Sequence, residues 1–224
     1  YLCKDTEIII LFLKIQIRRE SMTVLDSLKN DHKLVRRYLD NLTLSYDFLV
    51  EGEKVPSSVF KNSLEFTNKF LNKYHHQREE YILFVELAAK KKGSIDPEIV
   101  ALRDQHERGR NLISQIKDAM RGYEKDDKDA TRQLTQNIDF YVSLMREHIH
   151  KEDHEFFPMV DQEFSADDLK EIEAEYKKFD KKMGPDFLRN TATILETIEA
   201  DLKEKFGAEY RDRREKLVDG RGHE

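Results

Sequence analysis

The sequence predicts an all-α protein, an up-down antiparallel four-helix bundle with additional C-terminal helices. Only 8 Gly and 4 Pro interrupt 224 residues, and 38% of the residues are charged, a composition that favours helices. Apolar residues recur every three or four positions through four long stretches, as on the buried face of an amphipathic helix. Short polar connections join these stretches, which favours antiparallel neighbours.

The first two predicted helices each carry a potential metal ligand on an apolar face. The first runs from Leu25 to about residue 51, and its buried face is expected to carry Leu25, Leu28, His32, Val35, Leu39, Leu42, Tyr46 and Leu49. The second covers roughly residues 58–92 and ends at Gly93, a residue common just after helices. One side of this helix presents Phe60, Leu64, Leu71, His75, Glu79 and Ile82.

The next two helices repeat this arrangement. Asp96 and Pro97 open the third helix, and its apolar face holds Ile99, Leu102, His106, Gly109, Ile113, Ile116 and Met120. The fourth helix follows a charged connection, with Leu134, Ile138, Tyr141, Met145, His148, Glu152, Phe156 and Met159 on one face. Each of the four helices therefore directs a histidine into the predicted core.

The remaining segments divide the chain. A bundle domain is expected over residues 22–162, followed by a helical extension packed on it over 163–206 and a frayed polar tail over 207–224. Within the extension, a helix is capped by Ser165 and is broken at Gly184 and Pro185.

The first 21 residues are expected to be non-native or upstream sequence. Met22 precedes a clear helix start, Thr23 with Asp26 three residues later. The apolar run 8–13 has six residues, too short to cross a membrane, and no signal-peptide cleavage site follows it. The alternative is a genuine apolar extension that packs on the bundle or on a partner chain.

Two stretches share the pattern His-x-x-x-Glu-acid-x-x-apolar-Phe. One contains His75 and Glu79, and the other contains His148 and Glu152. Residues four apart lie on one face of a helix, so each stretch directs an imidazole and a carboxylate at the same point. Paired imidazole and carboxylate groups are ligands for iron, manganese or zinc.

A metal site explains the whole set better than separate structural roles do. A single buried histidine is commonly structural, but nothing basic on these faces would neutralise Glu79 or Glu152. The candidate ligands are His32, His75, Glu79, His106, His148 and Glu152. Six ligands overfill one tetrahedral zinc site. They suit two ions if both carboxylates and an oxide or hydroxide bridge them, which leaves each ion five-coordinate with one open position.

Four motifs resemble the hemerythrin-like (HHE cation-binding) family. They are Leu-Lys-Asn-Asp-His ending at His32, the stretch 75–84, the stretch 104–110, and the stretch 148–159, and they span about residues 22–162 in family order. The resemblance implies a bundle with a non-haem di-iron centre and the same six ligands. Marine-worm oxygen carriers supply a fifth histidine from the third helix, where this sequence has Arg110. Reversible oxygen carriage is therefore not expected.

The residues next to the candidate ligands are assigned lesser roles. His76 and His150 are expected to face away from the site, and His154 to contact a ligand at most indirectly. Glu80 and Asp153 are expected either to orient ligands through hydrogen bonds or to lie exposed. An apolar pocket is expected beside Gly109, walled by Leu28, Ile113, Tyr141 and Met145.

The expected function is a metal-binding protein whose two Fe ions, with Mn or Zn as alternatives, react with peroxide, NO or O₂ under oxidative or nitrosative stress. Whether it is an enzyme stays open, because an O₂ or iron sensing or storage module, a helper in iron–sulfur cluster repair and a purely structural bundle are alternatives. The net charge is −6, with no basic stripe, so nucleic acid is not an expected partner. A single cysteine, Cys3, excludes a disulfide framework and a thiolate metal cage. We expect a cytoplasmic protein with no membrane partner; a homodimer is compatible with the sequence.

Overall fold

The computed structural model describes residues 23–220, so the expectations for residues 1–21 lie outside the described part of the chain. Within it the fold is all-α and no strand occurs. The helices are α1 (Val24–Val50), α2 (57–91), α3 (Asp96–Tyr123), α4 (128–163), α5 (Ala166–Met183) and α6 (Phe187–Gly220). None of the helices in this range is both long and apolar enough to cross a membrane.

Two helix starts follow the capping pattern that the sequence predicts, whereas α3 has no side-chain cap because Asp96 lies inside the helix as its first residue. At the start of α1, the Asp26 backbone N–H donates to the Thr23 hydroxyl oxygen (3.1 Å), and the Thr23 backbone N–H donates to the Asp26 carboxylate (3.2 Å). Ser165 and Asp168 form the same reciprocal pair before α5. Each pair satisfies backbone donors that a helix start leaves without partners.

Helices α2 and α4 are continuous but contain π-helical turns. In α2 the segments are Ser57–Phe66 (α), Thr67–His75 (π), His76–Arg78 (α), Glu79–Leu83 (π) and Phe84–Lys91 (α). In α4 they are Lys128–Lys151 (α), Glu152–Phe156 (π) and Phe157–Glu163 (α). Two of these turns begin at the candidate ligands Glu79 and Glu152, whose carbonyls accept from the residue five positions later. A π turn holds more residues than an α turn, so it changes which side chains share a face.

The four long helices are antiparallel to their neighbours. The contacting pairs run in opposite directions along the chain. They are Tyr38–Thr67 and Ser27–Arg78 for α1 and α2, Phe60–Tyr123 and Glu80–His106 for α2 and α3, and Gly122–Ala130 and Gly109–Met145 for α3 and α4. Helix α1 also packs on α4 in this sense, with Asp40 near Arg146 and Arg36 near Asp153. The up-down bundle predicted from the short connections is therefore present.

Two apolar clusters fill the bundle on either side of the candidate ligands. The first includes Phe70, Tyr141 and Met145, and the second includes Phe84 and Phe157. Imidazole rings of the candidate ligands stack on both: His75 on Phe70 at 6.5 Å between ring centroids, and His32 on Phe157 at 5.6 Å. The polar site is thus enclosed between two blocks of core.

The C-terminal helices pack on the bundle, and the last one differs from expectation. In α6, Gly207 adopts a positive φ of 58°, and the chain turns back so that Arg214 reaches Glu199 at 2.6 Å. Beyond the turn, Tyr210 is 2% exposed and its hydroxyl donates to Asn41 Oδ1 at 2.8 Å. The expectation of a frayed tail from residue 207 is wrong for residues 207–220, because one aromatic residue and the ion pairs anchor this polar segment.

Candidate metal centre

The structure brings all six candidate ligands together in the middle of the bundle. Each is 1% exposed or less: His32, His75, Glu79, His106, His148 and Glu152. Each of the four long helices supplies at least one of them, as the sequence predicts. A cluster of six buried ionisable groups is costly to fold unless the groups neutralise one another or bind a cation.

The imidazoles form two pairs. In the α1–α2 pair, His32 Nε2 lies 3.1 Å from His75 Nε2, and in the α3–α4 pair, His106 Nε2 lies 3.0 Å from His148 Nε2. The Nε2 atoms of each pair therefore converge on one point. We call the pair His32 and His75 the first half of the site and the pair His106 and His148 the second half.

The two carboxylates connect the halves. Glu79 places one oxygen 3.4 Å from His75 Nε2 and the other 3.6 Å from His106 Nε2. Glu152 Oε2 lies 3.2 Å from His32 Nε2 and 3.3 Å from His148 Nε2. Each carboxylate thus reaches one histidine of each half, which is the arrangement that two ions with bridging carboxylates require.

The four carboxylate oxygens lack hydrogen-bond donors. Neither oxygen of Glu79 or Glu152 accepts a hydrogen bond from any described residue. Burial and then the neighbouring Glu152 raise the pKa of Glu79 to about 8, and burial and then Asp153 raise the pKa of Glu152 well above its usual value. A bound cation would supply the missing charge and allow both carboxylates to ionise.

Burial favours the neutral form of three candidate ligand imidazoles, and all four imidazoles are oriented by partners. Burial lowers the pKa of His75 to about 4 and also lowers the pKa of His106 and His148. A neutral imidazole has one nitrogen lone pair free for a metal, and a partner on the other nitrogen decides which one. Each Nδ1 atom has such a partner: His32 with Asp153 at 2.8 Å, His106 with Glu80 at 2.7 Å, His148 with Gln105 at 3.1 Å, and His75 with Asp31 at 3.5 Å.

Two arginines hold the outer carboxylates in place. Arg36 donates to Asp153 at 2.5 Å, and Arg110 donates to Glu80 at 3.1 Å. Although burial opposes ionisation, the hydrogen bonds from His32 and Arg36 lower the pKa of Asp153 to about 2. Glu80 is likewise kept ionised, despite burial, by His106 and Arg110. Of the two expectations for Glu80 and Asp153, the ligand-orienting role agrees with the structure.

A buried arginine supports the first half from outside. Arg78 is 0% exposed, is paired with Asp31, and lies between the rings of Tyr74 (4.0 Å) and Tyr176 (4.9 Å). Tyr176 belongs to α5, and its hydroxyl also donates to the Arg78 carbonyl at 3.2 Å. The C-terminal extension therefore covers this side of the site.

His76 is the residue that sequence reasoning placed wrongly. It is 4% exposed and stacks on His106, with ring centroids 3.8 Å apart. One of its ring nitrogens lies within 4.8 Å of a carboxylate oxygen of Glu79 and of ring nitrogens of His106 and His148, so the expectation that it faces away from the site is wrong. The π turn Thr67–His75 ends directly before it and alters the α-helical register from which its direction was predicted.

The other expectations for neighbouring residues have mixed outcomes. His150 is exposed and faces away from the site, as expected, and His154, expected to contact a ligand at most indirectly, is exposed as well. Two of the predicted walls of the pocket beside Gly109 are adjacent to this residue, since a Cβ atom there would lie at ordinary contact distance from Met145 Sδ (3.4 Å) and Tyr141 (3.8 Å). These side chains pack directly against Gly109, whereas Leu28 belongs to the other apolar cluster.

Comparisons with known proteins agree with this arrangement. Residues 23–160 match the model of the hemerythrin HHE cation binding domain family. Relatives include uncharacterized proteins of Mycobacterium bovis and of two strains of Mycobacterium tuberculosis, each 25% identical over 151 residues, or 67% of this chain. The chain spans 58% of the length of these relatives. No solved structure matches the chain.

Proposed function

The chain belongs to the hemerythrin HHE cation-binding domain family, and on this premise we propose that its buried cluster binds two iron ions. We further propose that the loaded centre reacts with peroxide, NO or O₂. The observation that carries the proposal is the set of carboxylate oxygens on Glu79 and Glu152 that lack hydrogen-bond donors among the described residues and lie between the four candidate imidazoles.

The number of ions follows from how the carboxylates are shared. A single ion would use ligands from one half of the site and leave the other pair of imidazoles without a role. Glu79 and Glu152 instead reach a histidine of each half. Mixed imidazole and carboxylate ligands suit iron, and such a pair of ions supplies redox chemistry to small ligands.

The protein's own residues determine which molecules reach the centre. The apolar clusters that contain Phe70 and Phe157 enclose the imidazoles on both sides, so we expect only small molecules to enter. The outer carboxylates Asp153 and Glu80 fix the imidazole rings and keep their Nε2 atoms directed inward. Position 110 on α3 supplies no further imidazole ligand, because it is an arginine that is paired with Glu80 and Glu107.

Metal analysis tests the proposal directly. Protein purified in air should contain about two ions per chain, predominantly iron. Glu79→Ala or Glu152→Ala should lose much of this metal, whereas His150→Ala, at an exposed position, should keep it. One zinc per chain, or equal losses in all three variants, would contradict a dinuclear centre at these residues.

The reaction is tested by mixing reduced protein with O₂ in a stopped-flow spectrometer. Irreversible oxidation, together with consumption of peroxide or trapping of NO, is expected. An oxygenated spectrum that disappears repeatedly on simple deoxygenation would contradict the scavenging function and favour oxygen carriage.

A further inference from the structure

The site has an approximate two-fold relation between the α1–α2 and α3–α4 helix pairs. The residues His32, Arg36 and Asp153 form one contact chain, and the corresponding residues on the opposite helices form another: His106, Arg110 and Glu80. The inner ligands correspond as well: His75 with His148, and Glu79 with Glu152.

This relation breaks at the residue that follows each inner histidine. His75 is followed by His76, whereas its counterpart His148 is followed by Ile149, which is 2% exposed and belongs to an apolar cluster. The second half of the site therefore has a nearby imidazole, from α2, that the first half lacks.

His76 has the burial and the free nitrogens of a ligand. Neither of its ring nitrogens has a hydrogen-bond partner among the described residues, and it is 4% exposed. Leaving such atoms buried without partners is unfavourable, and a bound metal ion would provide a partner. Its ring lies against both imidazoles of the second half, 3.8 Å from His106 and 6.0 Å from His148 between centroids.

We propose that His76 is the third imidazole ligand of the ion held by His106 and His148. This proposal rests on the proposed function, since it requires a dinuclear centre. With His76, one ion has three imidazoles and the bridging groups, whereas the ion at His32 and His75 has two imidazoles and keeps the open position. The two ions are then unequal, in contrast to the equal five-coordination expected from six ligands.

His76 also differs from the other imidazoles in its outer contacts. The other four each have an Nδ1 partner, such as Asp153 for His32, whereas His76 has none. A ligand without such a partner is less firmly oriented and contributes less to metal affinity. We therefore expect His76 to close the coordination sphere of its ion rather than to determine whether the ion binds.

Azide binding to the oxidised, iron-loaded protein tests the assignment. Wild-type protein should bind one azide per chain, at the open position of the first half. His76→Ile, which copies the residue found at 149, should keep two iron ions and bind a second azide. Its second-half ion should also be released to a chelator roughly tenfold faster. His150→Ile, at an exposed position, is the matched control and should behave as wild type.

A second variant, His76→Gln, removes the imidazole but keeps a polar side chain at this buried position. It should show the same second azide and the same faster release of iron. Wild-type azide stoichiometry and wild-type release rates in a folded His76→Ile or His76→Gln protein would overturn the role of His76 alone. Wild-type protein without bound iron would overturn the proposed function as well.

Discussion

Replacing Glu79 by Gln should stabilise the metal-free protein at neutral pH, although it removes a predicted ligand. Burial and the nearby Glu152 raise the pKa of Glu79 from 4.5 to about 8. Because the folded pKa lies above the unfolded one, this group's stabilising contribution is complete below pH 4.5 and is lost as the pH rises to about 8. At pH 7, keeping the carboxyl protonated in the fold costs about 3 kcal/mol, a cost that the neutral amide avoids.

Urea unfolding of the metal-free wild type and Glu79→Gln at two pH values measures this effect. The variant should be more stable by about 3 kcal/mol at pH 7 and by about 1 kcal/mol at pH 5. The relevant quantity is the difference in the free energy of unfolding between the two proteins. Buried histidines with lowered pKa values, such as His75, also make the stability of each protein depend on pH. Their stabilising contribution is present above pH 6.5 and is lost toward pH 4, in both proteins alike.

Glu80, the residue next to Glu79, provides a control for which the opposite change in stability is expected. Hydrogen bonds from His106 and Arg110 lower the pKa of Glu80 despite its burial, so Glu80→Gln should destabilise the metal-free protein at pH 7. In the presence of iron, Glu79→Gln should bind less metal than wild type. If Glu79→Gln destabilises the metal-free protein as Glu80→Gln does, then Glu79 is an ordinary structural ion-pair partner and the reasoning fails.

Three further predictions concern the surroundings of the site and the C-terminal segment. Asp153→Asn removes the anionic acceptor of the His32 Nδ1 proton, so a chelator should remove metal at least tenfold faster, on the order of other losses of ligand-orienting partners, while circular dichroism shows the fold retained. Metal loading near pH 6.5 should release the Glu79 proton, because its pKa is about 8, so calorimetry in buffers of different ionisation enthalpy should show proton release that declines above pH 8. Tyr210→Phe loses the hydrogen bond to Asn41 and should lower the free energy of unfolding by about 1 kcal/mol in urea titrations.

The bundle and the inner residues of the site were predictable because they follow the helical period. His32 and His106 interrupt apolar faces that repeat every three or four residues, and those faces are buried in the structure. His148 and Glu152 are one turn apart, so their shared direction follows from helix geometry alone. Sequence patterns are most informative when local spacing decides the direction of a side chain.

His76 was not predictable in this way because a π turn precedes it. An α-helical register separates adjacent residues by a wide angle, and this predicts that His75 and His76 cannot both face the site. The π turn Thr67–His75 changes this relation, and no residue within it reveals the change in sequence.

The carboxylates that orient the imidazoles are adjacent in sequence to candidate ligands, but each of them contacts an imidazole on a different helix. Glu80 directly follows the candidate ligand Glu79 but orients His106 on α3, and Asp153 directly follows Glu152 but orients His32 on α1. Each outer carboxylate therefore lies on one helix and fixes an imidazole on another. This arrangement connects the helices through the site itself, so helix packing and ligand orientation depend on the same contacts. A substitution that displaces α4 should therefore also disturb the orientation of the His32 imidazole on α1, because Asp153 on α4 holds that ring.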